Sequence, residues 1–86
     1  MSVYVGPSLY PYGRMVMCHM VADQLWELLT MAESIGVARW FQAKPYPHYD
    51  VSKGKRALAI RLGAVETDER KILKVAKARA AAQEKE

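Results

Sequence analysis

Arg14-Met15-Val16-Met17-Cys18-His19-Met20-Val21 is the stretch on which the reading of the chain turns. Strand alternation puts Met15, Met17, His19 and Val21 on one face and Arg14, Val16, Cys18 and Met20 on the other. Apart from Arg14 and His19 both faces are apolar, which predicts a central strand covered on both sides. The methionines read as adaptable gap-fillers rather than ligands. His19, on an apolar face, reads as a core histidine satisfied by one hydrogen bond, with a ligand role as the alternative.

Outward from that strand, Ser2 to Gly6 is a β-branched and aromatic run closed by Gly-Pro, a first strand. Pro7 to Gly13 holds two prolines and a terminal glycine and reads as a loop. Tyr10 and Tyr12 flank Pro11 there, either as rings packed on prolines or as a stacking platform for a base. On the other side Asp23 is placed as an N-cap for a helix from Gln24 to Ile35. Leu25, Leu28, Leu29, Ala32 and Ile35 stand at helical spacing, and Gly36 ends it. Val37 to Gln42 reads as a strand with Trp40 and Phe41 on opposite faces. His48 to Val51 is a short strand, Ser52 caps a second helix running to about Leu62, and Gly63 ends that helix. Ala64 to Glu66 suits a short edge strand. Thr67 opens a third helix, with Asp68 and Glu69 complementing its dipole and Ile72, Leu73, Val75 and Ala76 as its apolar face.

The order ββαββαβα predicts an α+β (or α/β) fold, a small mixed sheet of 4–5 strands with about three helices and at least one right-handed parallel crossover. Residues 80–86 have helical propensity and nothing to bury, so one globular domain over 1–79 with a frayed helical tail is expected.

A chain of 86 residues with 51% apolar composition has material for one core, burying roughly 60–65% of its unfolded surface. The lone Cys18 excludes an intramolecular disulfide and any cysteine-based zinc cage. It suits a reducing compartment, and a cytoplasmic location is expected. No apolar run reaches the roughly 18–20 residues that span a bilayer, so no membrane partner is expected. The net charge of +4 favours a polyanion.

The densest chemistry lies in Pro47-His48-Tyr49-Asp50-Val51-Ser52-Lys53-Gly54-Lys55-Arg56. Cations are disfavoured in the first turn of a helix, yet Lys53, Lys55 and Arg56 stand there beside Gly54. An anion on the free backbone N–H groups would account for them; a solvated turn neutralised by Asp50 or Glu66 is the plainer reading. Arg14, His19, His48, Tyr49, Lys53, Gly54, Lys55 and Arg56 are the candidate phosphate-binding residues. Arg14, His19, His48 and the first turn of the second helix are expected to converge on one cleft. On this reading, replacing Lys55 or Arg56 by Gln leaves the ligand-free protein as stable as before or slightly more so. His48 and Asp50, two apart on a strand, point to one side and form a candidate catalytic acid–base pair. With His19 and Asp23 they are also a candidate metal set. Cys18 alternates away from His19, which argues against a Cys–His nucleophile, and no phosphate-binding, serine-hydrolase or zinc-protease signature is present.

Val3-Tyr4-Val5, Tyr12-Gly13-Arg14-Met15-Val16-Met17-Cys18-His19-Met20 with Ala22-Asp23, Trp40-Phe41-Gln42, His48-Tyr49-Asp50, Lys55-Arg56-Ala57 and Gly63-Ala64 stand in this order. Together they resemble a small bacterial and bacteriophage family, domain of unknown function 4031, over roughly residues 2 to 67. The resemblance implies a bacterial or phage source and a stand-alone domain; it supplies no reaction. In that family's pattern an acid often follows Val-Tyr-Val, where this chain has Gly6, a departure that tilts the reading toward binding.

Three functional readings follow. The first is a small phosphate-recognising protein for a nucleotide or nucleic acid, with no cofactor. The alternative is a metal-dependent phosphoesterase or nuclease-like hydrolase, with a divalent ion on His19, Asp23, His48 and Asp50. The third is a structural or interaction protein that uses its basic last helix.

Overall fold

In the computed structural model, residues 2–7 and 10–84 are described, with side chains at all of these except 12 and 79–84. The elements in order are β1 (Val3–Val5), β2 (Tyr10–Tyr12), β3 (Met15–Ala22), α1 (Leu25–Ile35), a 3₁₀ turn (Ala38–Trp40), β4 (Tyr49–Ser52), α2 (Lys53–Arg61), β5 (Val65–Glu66) and α3 (Glu69–Glu84). This is the expected α+β fold, a mixed sheet of five strands with three helices.

β3 organises the sheet. Met17 pairs with both Tyr10 and Ser52, and Met20 with both Val5 and Tyr49. A strand residue has one neighbour on each side, so β1 and β2 share one edge of β3 and β4 takes the other. All three run antiparallel to β3, and β5 extends the sheet beyond β1 in parallel. β4 and β5 therefore point the same way, with α2 as the connection between them.

The two faces are covered unequally. Cys18, Met20 and Ala22 of β3, Val3 and Val5 of β1, and Tyr49 and Val51 of β4 pack with Leu28, Ala32 and Ile35 of α1 and Ala59 of α2. On the opposite face Val21 packs with Ile72, Val75 and Ala76 of α3, flanked by Tyr4 and Tyr46. Cover on both sides of the central strand is thus complete only near its C-terminal end, and Met15 and Val16 at the hairpin are exposed. Leu29 and Leu73, counted in the apolar stripes, also face outward.

Several local expectations change. Tyr10–Tyr12, expected in a loop, is a strand: Gly13, at φ 61°, makes the turn into β3 that pairs Tyr12 with Met15. Pro11 is tolerated because β2 has no further neighbour on its outer side, where a missing N–H breaks no ladder. Val37–Gln42, expected as a strand, contains the 3₁₀ turn and contributes only the Gln42–His48 bridge. Val37 N–H donates to Ala32 O at the end of α1, and Tyr49 Oη donates to Ala38 O at 3.1 Å. These bonds override the β propensity of the run. Trp40 is left outward with the Arg39 guanidinium 4.3 Å above its ring.

At the helix starts, Ser52 Oγ accepts from Lys55 N–H at 3.3 Å, as its capping role requires. Gln24 rather than Asp23 is the N-cap of α1, with the Glu27 carboxylate accepting from Gln24 N–H at 3.1 Å. Asp23 instead accepts from Ser2 N–H at 2.9 Å and from Tyr4 Oη at 3.0 Å. Asp68 rather than Thr67 caps α3 through Lys71 N–H, while Thr67 N–H donates to Val5 O and prolongs the β1–β5 pairing. The backbone of α3 is helical to Glu84; residues 85 and 86, in the expected tail, lie outside the described residues.

Arg56 ties α2 to the sheet. Its Nε donates to Gly6 O at 2.7 Å and an Nη lies 3.1 Å from Glu66 Oε1, bridging the ends of β1 and β5. Glu66 is largely exposed, so the charge pair contributes little; the half-buried bond to Gly6 O carries the clamp. We expect Arg56→Gln to destabilise the protein by about 1–3 kcal/mol in urea titration, against the expectation drawn from the sequence. Lys55→Gln should stay within about 0.5 kcal/mol. Equal effects from the two changes would contradict the clamp.

Cys18 is fully buried, and its thiol is pushed up from 9.0 to about 11, chiefly by burial, with the Arg56 charge opposing. A folded-state value above the unfolded one gives a contribution present below pH 9 and lost as pH rises toward 11. The stability advantage of the wild type over Cys18→Ala should therefore shrink across that window. A difference independent of pH would refute the assignment.

Candidate functional site

The face of the sheet left open by α3 gathers polar side chains from four segments. β3 and β4 register His19 opposite Asp50, and β2 registers Tyr10 opposite Met17, two residues from His19 on the same face. His48, two residues before Asp50, shares that face. Asp50 is the centre: Oδ1 accepts from Tyr10 Oη at 2.7 Å and Oδ2 accepts from Gln42 Nε2. His19 Nε2 lies 3.6 Å and His48 Nε2 3.8 Å from the same Oδ1. Glu69, in the first turn of α3, places Oε2 3.5 Å from His19 Nδ1.

Aromatic rings complete the wall. Tyr10 stands 5.1 Å from the His19 ring, His19 and His48 meet edge-on at 5.8 Å, and Tyr46 is 4.9 Å from His48. The His48 side chain is 7% exposed, whereas His19, Asp50 and Glu69 are 28%, 29% and 34% exposed. The site is a half-open shelf with one imidazole at its back.

Hydrogen-bond partners assign the protons. His48 Nδ1 lies 2.7 Å from Tyr46 O, which only accepts, so Nδ1 carries hydrogen and Nε2 is the nitrogen that bears the lone pair whenever the ring is neutral. That lone pair and the Nε2 of His19 both face Asp50 Oδ1. The separations exceed a direct hydrogen bond but let one small oxygen contact all three atoms. Burial, then the hydrogen bond to Asp50, raises the Tyr10 hydroxyl above its usual range; burial, then Glu69 and Asp50, raises Tyr46. Both phenols stay neutral, and Tyr10 remains a donor to the carboxylate.

Of the residues proposed from sequence, His19, His48 and Asp50 meet here. The others do not. Asp23 lies roughly 13 Å along the chain direction of β3 from His19, committed to Ser2 and Tyr4. The metal set of His19, Asp23, His48 and Asp50 is therefore not assembled. Among the described residues no group of three or more His, Cys, Asp or Glu is placed to hold a metal ion. Tyr49 is fully buried on the opposite face. Arg14 is exposed in the hairpin turn, roughly 17 Å along β3 from His19. Lys53, Gly54 and Lys55 are exposed on the first turn of α2, the helix that packs on the other face. Lys55 Nζ lies 3.6 Å from the place a Cβ would take on Gly36, beside the carbonyl end of α1, where a cation complements the dipole. Arg56 is committed to Gly6 and Glu66. The single cleft expected from the sequence divides into a histidine–carboxylate shelf on one face and a basic turn on the other.

Gln42, Tyr46 and Glu69 are site residues that sequence reasoning missed, and Tyr10, read there as a packed ring or a base-stacking platform, is instead a donor to Asp50. Reading Gly13-Arg14 as a two-residue hairpin turn would have paired Tyr10 with Met17 and placed it beside His19. Glu69 carries no local signal, because its reach to His19 depends on the absence of a side chain at Gly6.

Residues 3–79 match a family described as protein of unknown function (DUF4031), so the match runs past the resemblance seen in the sequence and takes in Glu69. No curated protein and no solved structure matches the chain. With nearly its whole length matched, and with His19, His48, Asp50 and Glu69 all inside the matched stretch, the chain belongs to the DUF4031 family.

Proposed function

We propose that the chain is a small acid–base hydrolase whose centre is His19, Asp50 and His48. The observation that carries this reading is the aim of both Nε2 atoms at one Asp50 oxygen, Oδ1, which accepts from Tyr10 while Gln42 holds the other carboxylate oxygen. A water or substrate hydroxyl seated among those three atoms would be polarised by Asp50. It would pass its proton to an imidazole as it attacks, and the imidazolium would return that proton to the departing oxygen as the ester bond breaks. His19, the more exposed ring, is the group that meets the substrate. His48, backed by Tyr46 O, is the buried proton acceptor, and Asp50 orients both. The net charge of +4 draws anions to the molecule as a whole, whereas the shelf itself carries the carboxylates Asp50 and Glu69, so phosphate and carboxylic esters are tested side by side. The mechanism uses the chain's own proton carriers.

A phosphate-recognition role at Lys53, Gly54 and Lys55 is the second reading, supported by their exposure on the capped first turn of α2. The two readings separate cleanly, because their residues lie on opposite faces.

Turnover of phosphomonoester, phosphodiester and carboxylic ester reporters should fall by about 10²–10⁴-fold in His19→Ala, His48→Ala and Asp50→Asn, with melting temperatures close to wild type for His19→Ala. Lys53→Gln and Lys55→Gln should leave kcat unchanged. Turnover that survives in both His19→Ala and Asp50→Asn would end the hydrolase reading. Calorimetric phosphate binding lost in Lys55→Gln but intact in His19→Ala would favour recognition instead.

A further inference from the structure

We infer that Glu69 is a positioning residue that decides which nitrogen of His19 carries hydrogen, and that Gly6 is what allows it to stand there. The inference rests on the acid–base reading of the shelf and adds to it the device that sets His19 in its working form.

His19 Nδ1 is a buried atom that no hydrogen bond satisfies. The polar and ring groups around His19 come from several elements: Asp50 Oδ1 at 3.6 Å from Nε2, the Tyr10 ring at 5.1 Å and the His48 ring at 5.8 Å. Glu69 Oε2 at 3.5 Å faces Nδ1. That separation is longer than an ordinary N–H···O bond, and it lies on a side chain with three rotatable bonds, so a small rotation closes it. When it closes, Nδ1 carries the hydrogen, because Asp50 already accepts from Tyr10 and Gln42 and competes less strongly for it, and Nε2 is left to accept from a hydroxyl held between it and Asp50. Without Glu69, Nδ1 has no acceptor among the described residues, and the ring gains more by moving its hydrogen to Nε2 and donating to Asp50.

Position 6 controls that reach. A Cβ on Gly6 would lie 2.8 Å from Glu69 Oε1 and 3.3 Å from Ile72 Cγ1. The backbone at Gly6 has no room to retreat, because its N–H donates to His19 O at 3.0 Å and its carbonyl accepts from Arg56 Nε at 2.7 Å. Any side chain at position 6 must therefore displace the Glu69 carboxylate from the place it now holds beside His19. The Gly6 N–H bond also fixes the His19 backbone, so the same residue places the ring and clears the way for its partner.

The test is the tautomer of His19, read from imidazole ¹⁵N shifts on the neutral ring. Wild type should hold hydrogen on Nδ1. Glu69→Ala, and independently Gly6→Ala, should shift the Nδ1–H to Nε2–H ratio by on the order of tenfold or more, the worth of one charge-assisted hydrogen bond. His48, held by Tyr46 O, should keep hydrogen on Nδ1 throughout and serves as the internal reference. If Gly6→Ala does not fold, Glu69→Ala alone decides. An unchanged His19 tautomer in Glu69→Ala overturns the inference. A shifted tautomer in a protein that turns over none of the ester reporters upholds it while removing the hydrolase reading.

Discussion

The pairing of β3 on both edges is the constraint from which the rest of the molecule follows. With β1 and β2 on one side and β4 on the other, its register decides what each face of the sheet contains. A slip of one residue would exchange Cys18 for His19, driving an imidazole into the α1–α2 core and turning a thiol outward. The apolar packing of Cys18, Met20 and Ala22 makes such a slip costly, so core burial on one face holds the histidine on the other.

The two faces then diverge because their helices differ in reach. α1 and α2 cover one face with a continuous apolar cluster, whereas α3 covers only the region around Val21. The uncovered remainder is where Tyr10, His19, His48 and Asp50 lie, gathered around the Asp50 carboxylate instead of under a hydrophobic lid. Gly6 sits at the junction. Its backbone is gripped by His19 O and Arg56, and its missing side chain admits Glu69. One residue thereby couples the clamp from α2, the end of β1 and the first turn of α3.

This arrangement separates two kinds of charge that stand close together in sequence. Asp50 and Lys53 are three residues apart, yet the strand carries the carboxylate to the shelf and the helix carries the lysines to the far side. Arg56, the third cation in the first turn of α2, is held by a carbonyl and serves the fold. The basic turn and the histidine shelf are thus independent surfaces, and membership of the DUF4031 family covers both.

Much of the fold was legible in local patterns. Alternation marked β3, helical spacing marked α1 and the buried positions of α3, and Ser52 and Gly36 marked helix ends, because each depends on chemistry within a few residues. Two segments misled. Val37–Gln42 has strand composition but is bent by bonds to Ala32 and Tyr49, and the prolines around Tyr10 hid a strand that needs only an open outer edge. For the site, the sequence by itself determined that His48 and Asp50 share a face, since a two-residue period on a strand leaves no choice. That His19 joins them, that Asp23, Arg14 and the lysines do not, and that Glu69 does, was decided only by the tertiary structure. Those facts follow from cross-strand register, from the face each helix covers and from the space left at Gly6, and these are set by contacts between residues far apart in the chain.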